Sequence, residues 1–201
     1  MIQIERDGGL LILRLNRPEK ANALSKAMLE RIESAVAEKD ITALVLTGEG
    51  KVFSAGADLE EMQVGLGTDP VWERVSGAIA GFNGLTIAAL NGTLAGGAMG
   101  MALACDLRIA VPTAKFFYPV MRLGFLPQPS DGKRLAALIG PARAKMILMA
   151  GARIESPEAL AWGLIDRIVE GPDLISTACS LATDVLAAKP GHAAAIKALI
   201  C

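Results

Sequence analysis

The sequence predicts an α/β fold built from stacked strand-strand-helix turns and completed by a helical C-terminal part. Two stretches, Ala43 to Asp58 and Ile87 to Gly100, each run from an apolar strand through a glycine turn into the start of a helix. Within them Leu44 and Ala88 stand about 44 residues apart, a spacing that suits successive turns each covering the last. From Ser130 onward the chain reads as mostly helical, with Gly140-Pro141, Ser156-Pro157 and Gly171-Pro172 where helix punctuation belongs.

Ile2 to Glu5 and Leu10 to Leu15 flank Asp7-Gly8-Gly9, a hairpin signal. Arg17 to Asn22 is a polar loop. Ser25 reads as the N-cap of a helix reaching about Glu38, with Met28, Ile32 and Val36 four residues apart on one face. Ile41 to Leu46, apolar except for Thr42, has the composition of a strand covered on both faces. A short helix follows near Leu59 to Met62, then a glycine-bearing loop from Gln63 to Pro70 and a helix near Trp72 to Ala80. The pattern returns with a strand at Ile87 to Leu90, a helix at Gly97 to Cys105, and strands at Leu107 to Val111 and Lys115 to Tyr118. Beyond them the spacing predicts helices over Ser130 to Ile139, Ala142 to Ala150, Pro157 to Trp162, Asp173 to Ala188 and Gly191 to Leu199, with one strand near Leu164 to Val169.

Composition narrows the function. Hydrophobic residues make up 52% of the 201 residues and aromatics only 4%, so Ala, Leu, Ile, Val and Met fill one core and small residues let backbones approach closely. Lys plus Arg (20) nearly cancels Asp plus Glu (21), with no basic run, which argues against nucleic acid or an anionic membrane and for a small-molecule ligand. No charge occurs from Val75 to Cys105, yet its many glycines, with Asn83 and Asn91, break it into helix, strand, turn and helix and not a membrane span. Cys105, Cys179 and Cys201 read as reduced thiols of a cytoplasmic protein, no metal-ligand cluster is present, and the N-terminus lacks the build of a secretion signal. Each glycine turn leaves backbone N–H groups free at a helix mouth, and two such mouths facing one another make a site for a developing oxyanion.

Several motifs resemble the crotonase superfamily, the enoyl-CoA hydratase/isomerase family. They are Leu15 to Leu24 (LNRPEKANAL), Phe53 to Leu59 (FSAGADL), Asn91 to Ala98 (NGTLAGGA) with Cys105-Asp106, Leu123-Gly124 with Pro127, Arg134-Leu135, Gly140, and Ala161 to Ile165 (AWGLI), in family order along nearly the whole chain. The resemblance implies a crotonase (ClpP-like) spiral of ββα units in a single domain spanning 1–201, with the family's C-terminal helical region truncated. It also implies a homotrimer, paired into hexamers in many members. Coenzyme A enters as part of an acyl-CoA thioester, and no cofactor is permanently bound. The oxyanion hole falls on the backbone N–H groups of Ala57 and Gly97. Lys20, Ala21, Asn22, Ala23, Leu24, Ala55, Asp58 and Leu59 fall where the family grips the adenine and pantetheine of CoA.

The resemblance also exposes a departure. Family hydratases use two glutamates, and the matching positions hold Gly100 and Val120, neither of which transfers a proton. Replacement candidates are Tyr118 and Asp131, followed by Arg122 and Glu61. Tyr118 either points its phenol at the acyl group or is a core residue with its hydroxyl at the rim. Asp131 either serves the chemistry or caps a helix start. Arg122 and Glu61 suit surface or subunit contacts. His192 lacks a nucleophile motif, Ser54 lacks the elbow context, and Met99, Met101, Met121, Met146 and Met149 read as adaptable core filler or as the wall of an acyl pocket. The expectation is an acyl-CoA enzyme that stabilises an enolate and runs hydrolysis, decarboxylation or a proton shift; the alternatives are a non-catalytic acyl-CoA binder or inactive subunit, and a fold kept only for assembly.

Overall fold

The computed structural model describes residues 1–200. Strands β1 (Ile2–Asp7) and β2 (Leu10–Leu15) form the expected hairpin, with Glu5 opposite Ile12. Helix α1 (Lys26–Val36) starts where Ser25 Oγ accepts the N–H of Met28, and it buries Met28, Ile32 and Val36 on one face. From β3 (Ala43–Gly48) the chain enters the spiral, in which each turn adds a long strand to one sheet and a short strand to a second before closing with helices.

The first turn runs through β4 (Val52–Ser54), α2 (Leu59–Gln63) and α3 (Val71–Ala80). The second comprises β5 (Leu85–Leu90), β6 (Thr93–Ala95) and α4 (Ala98–Ala104). The third comprises β7 (Leu107–Ala110), β8 (Lys115–Phe117), α5 (Val120–Leu123) and α6 (Asp131–Ile139). Then follow α7 (Pro141–Leu148), β9 (Ile154–Glu155), α8 (Ser156–Trp162), β10 (Arg167–Ile168), α9 (Leu174–Ala187) and α10 (His192–Lys197).

The large sheet has the order β1-β2-β3-β5-β7-β10, parallel after the hairpin; the small one has the order β4-β6-β8-β9, with only β9 antiparallel. Val45 is opposite Ile87 and Ile87 is opposite Leu107, so the first turn holds about twice as much chain as the second, because α2, α3 and their loop are inserted there. The short strands β4, β6 and β9 and the helix α5 escape the sequence pattern. They are too brief to show a period.

The core joins both sheets and all the long helices around β3 and β5, whose residues are almost entirely buried. Met99 and Met101 belong to it, whereas Met121, Met146 and Met149 are exposed, a correction to their reading as filler. Cys105 is buried and Cys179 half-buried, both as free thiols; Cys201 lies outside the described residues. No helix among the described residues is long and apolar enough to cross a membrane, and no group of three metal-ligating side chains occurs there.

Candidate active site

The site grows from two loops that touch. In the first, Ala21 (φ 50°) and Asn22 (φ 53°) are both left-handed, a conformation costly for residues with a Cβ. Asn22 offsets that cost by satisfying its whole buried amide: its side chain accepts the N–H of Arg17 at 2.8 Å and donates to the carbonyls of Glu49 at 2.9 Å and Val52 at 2.7 Å. The loop is thereby laid along the next one. Ala55 N–H donates to Ala21, Leu24 N–H to Gly56, and Asp58 N–H to Leu24, a parallel pairing in which the intervening amide of Ala57 points the other way.

Gly56, at φ 98°, lets this turn meet the Gly96-Gly97 turn: a Cβ on Gly56 would lie 3.0 Å from the carbonyl oxygen of Ala95 and 3.4 Å from the nitrogen of Gly97. Gly97 is the N-cap of α4, and the Trp72 ring leaves no room there either, standing 3.1 Å from where its Cβ would be. Trp72 is fixed by its Nε1–H, which donates to the carbonyl of Leu66 at 2.8 Å. The N–H groups of Ala57 and Gly97 find no acceptor within the fold among the described residues, and both residues line one cavity of about 120 Å³. The same cavity is bounded by Ala55, Leu59, Trp72, Tyr118 and Val120.

The sequence candidates separate cleanly. Ala55 and Leu59 are exposed at the cavity, and Lys20 is an exposed ammonium 3.4 Å from Glu60. Ala23 is half-buried beside them. The side chains of Asn22, Leu24 and Asp58 are buried, so they shape the loops without presenting themselves to a ligand. Asp58 caps α2 through the N–H groups of Glu60 and Glu61 and takes a 2.6 Å hydrogen bond from Arg17 Nη1, which holds its carboxyl below the ordinary range. Ser54 is also structural, donating to the Asn22 carbonyl and accepting from Gly56, and His192 is exposed at the start of α10. Glu61 accepts the N–H of Lys26 at the start of α1, and Arg122 is exposed.

Tyr118 and Asp131 are brought together. The phenol, whose ring lines the cavity, donates to Asp131 Oδ2 at 2.9 Å, and the other carboxylate oxygen, Oδ1, is buried without a partner. Asp131 begins α6 but does not cap it, a correction to its reading as a cap: its side chain makes no cap hydrogen bond and turns inward, only 1% exposed. A Cβ on Gly100 would lie 2.6 Å from that Oδ1, so the volume a side chain at position 100 would occupy is filled by the carboxylate of Asp131. Burial pushes the Asp131 carboxyl up to about 6 against the pull of the Tyr118 hydroxyl, and the nearby Glu73 charge adds to the rise. The Tyr118 phenol is pushed up as well, by burial and then by the charge of Asp131. Near neutral pH the pair therefore holds a neutral phenol against a carboxylate that accepts a proton readily. Sequence reasoning missed the contact of Gly100 with Asp131 and that of Gly97 with Trp72. Both join residues distant in the chain, and neither has a local signal.

A family model described as enoyl-CoA hydratase/isomerase matches residues 5–200. A probable enoyl-CoA hydratase of Mycobacterium bovis is 37% identical over 191 residues, covering 92% of this chain and 74% of the relative. A 4-chlorobenzoyl coenzyme A dehalogenase of an Arthrobacter species is 34% identical over 204 residues, covering 95% and 74%. Among solved structures, the enoyl-CoA hydratase of Bacillus anthracis superposes with a TM-score of 0.91 at 30% identity, covering 99% of this chain and 81% of that one. Pseudomonas aeruginosa DspI gives 0.89 at 32% identity, covering 99% and 85%.

Proposed function

The chain belongs to the enoyl-CoA hydratase/isomerase family, and from that premise we propose that it is an enzyme that stabilises the enolate of a bound acyl-CoA thioester with the N–H groups of Ala57 and Gly97 and moves the proton with the Tyr118–Asp131 pair. The observation that carries this reading is the seating of the Asp131 carboxylate over Gly100, bonded to a phenol that lines the same cavity as Gly97. In the forward direction an enolate collapses by taking a proton at its α-carbon. That enolate is first formed when the Tyr118 oxygen takes the α-proton as its own phenol proton passes to the Asp131 carboxylate; in the return step Tyr118 gives a proton to the α-carbon and recovers the one Asp131 then holds, so both groups end as they began. The two amides hold the oxygen while it bears charge and release it as the carbonyl re-forms. A proton shift or a decarboxylation uses these parts directly; thioester hydrolysis uses the amides alone.

Water addition at ordinary hydratase rates is not expected. Each absent general acid or base typically removes about 10²- to 10⁴-fold, and Gly100 and Val120 supply neither. Hydration of crotonyl-CoA at the rates of common hydratases would therefore count against the assignment.

The direct test is exchange of α-protons of saturated acyl-CoA thioesters into deuterated water, followed by mass spectrometry. Exchange that is abolished by Gly97→Pro and strongly reduced by Tyr118→Phe supports the enzyme. Tight binding of the whole panel with no exchange or product supports a non-catalytic binder, and no binding in calorimetry leaves a fold kept for assembly.

A further inference from the structure

A second cavity, of about 570 Å³, lies at the far end of α4, between α6, α9, α10 and the starts of β5 and β7. It shares no lining residue with the cavity at Gly97. Its size is that of a small-molecule site, and its walls are largely hydrocarbon: Leu85, Leu103, Leu107 and Leu138, with Val185 and the exposed Ile196 at its open outer side.

Three cations reach this space, and two are committed. Lys197 Nζ lies 2.9 Å from Asp106 and donates to the Gly84 carbonyl at 3.3 Å. Arg108 donates to the carbonyls of Cys105, Asp106 and Leu164, with Asp166 at 3.6 Å. Arg134 is different: its Nη1 is buried with no hydrogen-bond partner. Asp131, three residues earlier on the same helix, has its Oδ2 engaged by Tyr118, and although its Oδ1 is buried without a partner, no hydrogen bond or ion pair joins it to Arg134. A buried guanidinium nitrogen without an acceptor is costly, and an anionic ligand supplies the missing partner. The one thiol in the wall, Cys105, donates to the Met101 carbonyl and is pushed up to about 12 by burial, so it is no nucleophile for covalent capture.

We propose that this cavity is a binding site for an amphiphilic monocarboxylate, an unbranched aliphatic acid whose carboxylate pairs with Arg134 while its chain lies among Leu103, Leu138 and Ile196. One unpaired cation in an otherwise neutralised, apolar chamber matches one negative charge on a hydrocarbon tail. A phosphate dianion would find only one free donor group, a cation would meet Arg134, and a neutral chain would leave Nη1 unsatisfied. The free acids released from acyl thioesters are molecules of this kind, so the site would read the acyl pool at a place remote from the amides of Ala57 and Gly97.

The probe is decanoate, titrated calorimetrically into the full chain below its aggregation concentration, with decanol as the neutral control. Saturable binding is expected, weakened about tenfold or more in Arg134→Leu, recovered in part in Arg134→Lys, and unchanged by saturating coenzyme A; decanol binds weakly and equally to all three proteins. Decanoate carrying a terminal photoreactive diazirine, applied to the wild type, should label Leu103, Leu138 or α10. Labelling confined to Trp72, Tyr118 or Val120 would place the acid in the other cavity and overturn the proposal. So would affinity unaltered by Arg134→Leu, displacement by coenzyme A, or a wild type that takes up no decanoate, as when another copy's side chains fill the space. None of these results depends on whether the Tyr118–Asp131 pair moves protons.

Discussion

Replacing Asp131 by Asn should make the protein more stable and less active, and the size of the first effect follows from the site. The buried carboxyl binds its proton in the folded state up to about 6, against an ordinary value of 3.8. That gap corresponds to about 3 kcal/mol. Below about pH 4 the group is neutral in both folded and unfolded chains and contributes nothing; between there and about 6 the folded state holds the extra proton, so stability falls as pH rises; above it the full penalty of a buried charge is present. The amide introduced by Asp131→Asn keeps an oxygen for the Tyr118 hydroxyl and carries no charge at any of these values. Differential scanning calorimetry at pH 4 and pH 8 should find the two proteins nearly alike in acid and the variant higher by roughly 6–12 °C in base, since about 1 kcal/mol moves the midpoint of a domain this size by roughly 2–4 °C. Titrating groups remote from position 131 cancel in the comparison. The α-proton exchange of the variant should fall by about 10²-fold or more. A midpoint difference independent of pH, or a variant less stable at pH 8, would refute the reasoning that the carboxyl is held in a destabilising place for its chemistry.

Gly100→Ala adds one inert methyl group whose carbon would lie 2.6 Å from Asp131 Oδ1; exchange activity should drop towards the level of Asp131→Asn, measured in the same deuterium assay. Asn22→Ala strips the donor from the Glu49 carbonyl and the acceptor from the Arg17 amide and leaves the Val52 carbonyl only the longer bond from Asn91, so urea denaturation should register a loss of about 2–3 kcal/mol. Asp58→Ala removes both the cap of α2 and the partner of Arg17, costing about 1–2 kcal/mol at pH 7. Because the Asp58 carboxyl is held below its ordinary value, its contribution is present above about pH 4 and is lost as pH falls through the lower folded value. The gap between wild type and variant in urea midpoints should accordingly close in acid.

The long elements were legible because each carries its own pattern. β1 alternates and turns back into β2 across Gly8-Gly9, β3 and β5 are apolar on both faces, and α1 is opened by Ser25. The loops carrying Ala57 and Gly97 were legible for a related reason, since a backbone site depends on glycine, and glycine at a turn is visible in the text. The pairing of Tyr118 with Asp131 was only half legible. Tyr118 and Asp131 could be named as candidates, but their 2.9 Å contact depends on where α6 packs against α4, which no local window encodes. The short strands of the second sheet were hidden in the same way, because two or three residues show no period and their pairing is decided by their neighbours.

The contact between Gly100 and Asp131 explains how one part of such a site can change while the other does not. The two amides are fixed by strand register, by the left-handed Ala21-Asn22 turn and by the packing of Trp72 on Gly97, none of which involves a side chain at position 100, whose backbone N–H alone reaches the Gly97 carbonyl. A proton-transferring side chain needs only to enter the cavity wall from some packed element. α4 and α6 pack against each other there, and the volume left by a glycine on the first is taken up by a carboxylate on the second. Filling that volume from α4 instead must evict Asp131, because both carboxylates in one apolar space could not remain charged together. A double variant, Gly100→Glu with Asp131→Gly, should therefore fold better than Gly100→Glu alone, and the non-additivity of their melting temperatures measures how far the two positions share a single site.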